Sequence, residues 1–172
     1  MNPTIEAFNR ERSEHWDRVA RMLDRWNGWG GYYQKRITEI YQFNIPSGSD
    51  VMEIGCGSGN LLTGLRPKFG LGLDISEGMV GRAKAQHPNL EFQISDSIHF
   101  NTRNKFDFVV ISDTVNDLWD VQATLNASRN CLKPDGRLVI NFYSRLWELP
   151  LRIAARLHLA KPTLLQNWLT PD

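Results

Sequence analysis

The sequence predicts a doubly wound α/β domain, a mostly parallel sheet with helices on both faces. Three observations carry this expectation. From residue 50 onward, short apolar runs alternate with amphipathic stretches of helical period. A glycine-rich segment, Glu53-Ile54-Gly55-Cys56-Gly57-Ser58-Gly59-Asn60, directly follows the first apolar run. Residues 106–111 are the most apolar run of all, as a strand buried on both faces should be. Strands alternating with helices pair in parallel through right-handed crossovers.

The elements follow in order. Residues 1–44 read as a helical lid. Trp16, Val19, Ala20, Leu23 and Trp26 keep helical spacing. Asn27-Gly28-Trp29-Gly30-Gly31 then interrupts the helix, and Tyr33, Ile37, Ile40 and Tyr41 outline a second one. Residues 45–144 form the core. Its expected strands are 50–54, 69–73, 90–94, 106–111 and 137–143. Its expected helices are 60–65, 76–86 with Ser76 as N-cap, and 118–131. Lys133-Pro134-Asp135-Gly136 reads as a turn. Residues 146–159 read as a helix within a final segment, 145–172. Thr170-Pro171 resembles the opening of a further helix. The sequence therefore reads as cut short at its C-terminal end, with about five strands.

Bulk properties exclude several classes. A chain of 172 residues suits one domain with a sizeable core. A net charge of +1 gives no field to hold nucleic acid or an anionic surface. No apolar run reaches 18 residues, so no membrane span is expected. Cys56 and Cys131 lie far apart and outside any CxxC pair. Neither a disulfide framework nor zinc is expected, and a reducing cytoplasm fits. His87, His99 and His158 show no metal-ligand spacing.

The glycine segment carries the chemistry. Glycine serves where backbone must take positive φ or approach a ligand closely. The helix that follows turns its N-terminus toward negative groups. The spacing is GxGxG, with Asn60 where a dinucleotide fingerprint wants Gly or Ala, and it does not match the phosphate loop GxxxxGK[ST].

This loop resembles motif I of the class I S-adenosylmethionine-dependent methyltransferases. Leu71-Gly72-Leu73-Asp74-Ile75-Ser76 resembles their second motif, Ile94-Ser95-Asp96-Ser97 the third, Phe106 to Ser112 the fourth strand, and Leu132 to Leu138 the turn before the fifth. The resemblance spans residues 50–143 and implies a Rossmann-like fold with S-adenosylmethionine as cofactor. It implies that Asp74 takes the ribose hydroxyls, a role suited to a two-oxygen acceptor. Asp96 would accept from the adenine amino group, and the Ser97 N–H would meet the ring. Gly55 and Gly57 would pass close under the methionine part, with the Ser112 carbonyl facing its amino group, and Glu53 and Cys56 of the same motif would belong to the cofactor-binding set. Ile75 and Met79 would pack near the adenosine, or equally serve as core. The family sheet usually has seven strands, so a fifth strand left at the edge departs from the pattern.

The stretches 26–33 and 141–150 are similar to bacterial methyltransferase domains found ahead of a family 2 glycosyltransferase. That similarity implies a fused glycosyltransferase as partner and a small-molecule, glycan or lipid-linked acceptor. No catalytic residue follows from methyl transfer itself, because the cofactor carries the reactivity. Asp113, Asn116 and Asp117 after the fourth strand, Tyr143 at the end of the fifth, and His15 in the lid are candidates. For the first three, capping of a helix beginning at 118 is an equal reading. Trp29 or Tyr33 is a candidate for a cation–π contact with the sulfonium, and Arg36 for the methionine carboxylate. Gly28 to Tyr33 reads as a hinge. The alternatives are an NAD(P)-dependent oxidoreductase on the same fold, and a non-catalytic module that binds cofactor or a partner.

Overall fold

The computed structural model describes residues 4–23, 29–142, 146, 148–156 and 164. Its centre is one five-stranded sheet in the order β3-β2-β1-β4-β5. The strands are β1 (Asp50–Ile54), β2 (Phe69–Asp74), β3 (Glu91–Ile94), β4 (Phe106–Ser112) and β5 (Leu132–Asn141). Every pairing is parallel. The order reverses direction between β1 and β4, and in such sheets the ligand crevice lies beyond the carboxyl ends of those strands. The doubly wound, Rossmann-like architecture expected from the alternation is therefore the observed one.

Helices cover both faces because the strands are apolar on both. On one face Val51, Phe92 and Val110 pack against Tyr41 of α2 (Trp29–Asn44) and Ile45 just after it, Leu61 and Leu62 of α3 (Asn60–Gly64), and Val80 and Ala83 of α4 (Glu77–Gln86). On the other, Met52, Ile54, Leu71, Leu73, Val109 and Ile111 meet Val121 and Leu125 of α5 (Val121–Cys131). Each fully buried Leu or Ile of this kind contributes about 1.5–3 kcal/mol. Helix α1 (Ile5–Met22) does not touch the sheet through its core side chains; Val19 and Ala20 pack on Met79 of α4. Gly78 permits that approach, since a Cβ there would lie 3.1 Å from the Ala20 methyl.

Local chemistry sets the ends. Ser76 caps α4 through the Met79 N–H, as the sequence suggested, and Thr4 caps α1, accepting from the Ala7 N–H. Helix α5 starts later than expected. Its N-cap is Asp120, which accepts from the Ala123 N–H at 2.9 Å. Residues Val115–Asp117 form a separate 3-10 turn. Capping of a helix at 118 by Asp113, Asn116 or Asp117 is thus corrected, because a better cap lies closer to the helical run.

Strand β5 also starts earlier than expected, at Leu132. Phe106 pairs with Leu132 and Phe108 with Arg137, so residues 133–136 bulge out of register instead of preceding the strand. Lys133 uses the bulge to reach Asp50 at 2.8 Å and Asp107 at 2.9 Å, tying the amino ends of β1 and β4. The Gly30-Gly31 pair lies within the first turn of α2 and does not break it. The last described helix is α6 (Glu148–Arg156). Trp26, Asn27, Gly28, Tyr143, His158 and the side chain of Trp29 fall outside the described residues, and with them the first residue of the hinge segment and two of the candidate roles, while residues 29–33 of that segment are helical. No described helix is long and apolar enough to cross a membrane.

Candidate functional site

The site is built at the carboxyl ends of β1, β2 and β4. Gly55, Gly57 and Gly59 all take positive φ, at +75°, +53° and +78°. This left-handed run folds the chain back from β1 into α3. Gly55 and Cys56 donate to the Leu73 carbonyl at 2.8 and 3.0 Å, which clamps the loop to β2. A Cβ at Gly55 would lie 2.1 Å from Thr114 Oγ1, so close backbone approach demands glycine there. Gly57 differs: a Cβ there would meet nothing within 4 Å. Its outer side is open space.

Asp74 closes the loop from β2. Its Oδ2 accepts from the Gly57 N–H at 2.8 Å and its Oδ1 from the Ser76 N–H at 2.9 Å. Burial pushes its carboxyl up in pKa, against those backbone donors. Each carboxylate oxygen keeps a second acceptor site, so two hydroxyls can still be received. Glu53 lies on β1 opposite Gly72 of β2 and Val110 of β4. It is buried, and its Oε2 has no hydrogen-bond partner. Burial raises its pKa well above the carboxylate range; the Leu62 N–H opposes the shift, and the Asp74 and Asp113 charges add to it.

Asp113 follows β4 in the left-handed region, at φ +55°. Both of its oxygens accept from the Tyr33 hydroxyl, at 2.8 and 2.9 Å, and Oδ1 also accepts from the Asn141 amide at 2.5 Å. Asn141 Oδ1 in turn accepts from the Tyr41 hydroxyl at 2.7 Å. These bonds fasten α2 to the carboxyl ends of β4 and β5. Burial, chiefly, pushes the Tyr41 hydroxyl pKa up. Sequence reasoning singled out Tyr33 and Asp113 separately. It missed Asn141 and Tyr41, although a polar residue ending the apolar run 138–142 was a visible signal.

Helix α1 runs over the same edge. Asn9 donates to Asp96 Oδ2 at 3.5 Å, Arg12 lies 3.7 Å from Asp117, and Asp17 Oδ1 accepts from the Ser76 hydroxyl and the Gly78 N–H at 2.6 and 2.9 Å. It therefore lies across the segments following β2, β3 and β4. Asp96 also accepts from the Ile98 N–H at 2.8 Å and pairs with His99 at 3.0 Å. Burial alone would raise its pKa, but the His99 backbone and ring and the Ile98 N–H outweigh burial and hold it low. Ser97 shares a hydrogen bond with Thr124 of α5 at 2.8 Å.

Other expected residues take structural places. The Cys56 side chain packs in the core, where a Cβ on Gly72 would lie 2.8 Å from its sulfur. Met79 is buried against α1. Asn116 is fully buried, and His15 is buried edge-on to Trp16 at 5.1 Å. Arg36 is exposed and pairs with Glu39 one turn along α2. The structure thus brings Glu53, Gly55, Gly57, Asp74, Ser112 and Asp113 together, with Asp96 and Ser97 in the segment that follows β3, and leaves Arg36 on the outer side of α2.

A left-handed glycine loop after β1, a carboxylate ending β2 and the strand order 3-2-1-4-5 define a Rossmann-like fold of the class I methyltransferase type. The comparisons agree. A family model described as a methyltransferase domain matches residues 45–168. The chain belongs to that family. A ubiquinone biosynthesis O-methyltransferase of Bradyrhizobium diazoefficiens is 28% identical over 84% of the chain and 62% of its own length. A second such enzyme, from another Bradyrhizobium, is 30% identical over 61% of the chain and 44% of its own length. The chain thus spans between 44% and 62% of the length of these relatives. Among solved structures, the N-methyltransferase NodS of Bradyrhizobium japonicum, bound to S-adenosylhomocysteine, superposes with a TM-score of 0.63 at 20% identity. It covers 75% of the chain and 71% of NodS. A Haemonchus contortus phosphoethanolamine N-methyltransferase gives 0.72 at 20% identity, over 83% of the chain and 34% of that enzyme.

Proposed function

We propose that the chain binds S-adenosylmethionine and transfers its methyl group to a small-molecule, glycan or lipid-linked acceptor. The observation that carries this reading is the open cradle at Gly57, whose N–H is held by Asp74. The donor set fits the cofactor part by part. Asp74 would hold the ribose hydroxyls with its spare acceptor sites. Asp96 would take the adenine amino group in place of its long contact with Asn9, with the Ser97 N–H beside the ring. The Ser112 carbonyl and Glu53 would face the methionine ammonium. Ile75 would pack near the adenosine.

When bound, the sulfonium supplies an activated methyl group for in-line displacement. The chain's own task is to position the reactants and exclude water. Helices α1 and α2, spanning the edge, suit that task as a lid. Asp113 is held by Tyr33 and Asn141, and its carboxylate suits a proton-accepting or orienting role toward an acceptor. His15 and Asn116 are buried and Asp117 is half-buried beside Arg12, so all three suit it less. Resemblance to domains preceding a family 2 glycosyltransferase supports a glycan or lipid-linked acceptor and a glycosyltransferase domain as partner.

Isothermal titration of the chain with S-adenosylmethionine, with NADH in parallel, tests the proposal. Micromolar binding of the first alone is expected. Binding of NADH alone, or of neither by a folded chain, would overturn it.

A further inference from the structure

Glu53 stands apart from the other site residues. It is 3% exposed, and one of its oxygens is without a partner. A buried carboxylate left in this state costs several kcal/mol, so such groups hold a proton or meet a cation. Among the described residues, those that act on it electrostatically are the Leu62 N–H and two carboxylates, with no cation among them. Asp74 ends β2 and Asp113 follows β4, and both charges disfavour its ionisation. Tyr41 faces it from α2, Cys56 from the loop, and α3 contributes only the Leu62 N–H. Along β1, Glu53 shares its sheet face with Val51 and Val110, and Ser112 follows Val110 on that face of β4. Glu53 therefore stands one residue before the end of β1, beside the strand ends where the ligand crevice opens.

We propose that Glu53 is protonated in the ligand-free chain and ionises when the ammonium group of an amino-acid-bearing ligand arrives, so that binding expels a proton. The inference rests on the cofactor reading above. The balance is simple: the Glu53 O–H proton leaves to solvent, and the carboxylate formed pairs with an ammonium that stays protonated. The sign of the linkage follows. Below the free-state pKa of Glu53 the ligand must displace a proton, so affinity falls as pH falls, approaching tenfold per pH unit. Above that pKa, affinity levels off and no proton is released.

The test is calorimetric titration with S-adenosylhomocysteine over a wide series of pH values running from acid to mildly alkaline, each point in two buffers of different ionisation enthalpy. The difference counts protons. Release approaching about one proton per ligand at the acid end, vanishing as pH rises, is expected. 5′-Methylthioadenosine, which keeps the adenosine but lacks the ammonium, should bind with no release. Glu53→Gln should bind S-adenosylhomocysteine with no release and a flat pH dependence. Binding without release in the unaltered chain, or equal release with 5′-methylthioadenosine, would overturn the inference and leave the cofactor reading intact. Failure of both adenosine ligands to bind would overturn both.

Discussion

Gly55 and Gly57 sit two residues apart in one loop, both left-handed, yet alanine should act on them through different physics. At Gly57 the φ of +53° falls within the left-handed region that side chains tolerate, at a cost of about 1–2 kcal/mol. A Cβ there meets nothing within 4 Å, so no steric cost to the ligand-free chain is added. For a chain of this length, such a loss lowers Tm by roughly 2–8 °C. The methyl would occupy the space read as the cofactor cradle. Overpacking of that kind costs about 1–3 kcal/mol, or roughly 5- to 150-fold in Kd. At Gly55 the order reverses. The φ is +75°, and a Cβ would lie 2.1 Å from Thr114 Oγ1 and 2.5 Å from its Cγ2. Thr114 cannot simply turn aside, because its hydroxyl donates to the Ser112 carbonyl at 2.9 Å. Stability should fall by about 2–5 kcal/mol, with the chain near its unfolding threshold. Thermal unfolding paired with S-adenosylhomocysteine titration separates the two. A folded Gly57→Ala chain with Kd unchanged within about twofold would refute the cradle, since a fold-change that small is under about 0.5 kcal/mol.

Three further outcomes follow from contacts elsewhere. Tyr33→Phe removes the hydroxyl shared by both Asp113 oxygens, and should cost about 1.5–3 kcal/mol locally. Hydrogen exchange should then quicken in α2 while β1 and β4 stay protected. Lys133→Met removes the ammonium between Asp50 and Asp107. The Asp50 N–H first, then that ammonium, holds the Asp107 carboxyl below its ordinary range. Its contribution is therefore present above the unfolded carboxylate pKa and lost as pH falls through the lower folded value. The variant should lose less stability than the parent on acid titration monitored by circular dichroism, and added salt should narrow the difference. Cys56 should resist thiol reagents in the native chain, because burial pushes its pKa up and only the thiolate reacts. Labelling of Cys56 at the rate of an exposed thiol would contradict its place beside Phe92.

The order of strands and helices from residue 50 was legible because it rests on local periodicity, and periodicity is a property of the chain alone. Likewise the glycine loop, Asp74 and the Ser76 cap could be read directly, each arising from backbone demands met within a few residues. Element edges were less legible. The start of α5 depended on competition among Asp113, Asn116, Asp117 and Asp120, which only the packed turn resolved in favour of Asp120. The start of β5 depended on a bulge that a distant pair of carboxylates, Asp50 and Asp107, rewards through Lys133. Long-range partnerships were invisible for the same reason. Nothing near Asn141 says that Tyr41 lies a hundred residues back in the chain and within hydrogen-bonding distance. Periodicity and glycine spacing thus determined the sheet and the loop. Which side chains face the cleft, which are consumed in packing, and which carboxylate is left buried without a partner were decided only when the helices closed over the strand ends, because burial and pairing are properties of the assembled fold.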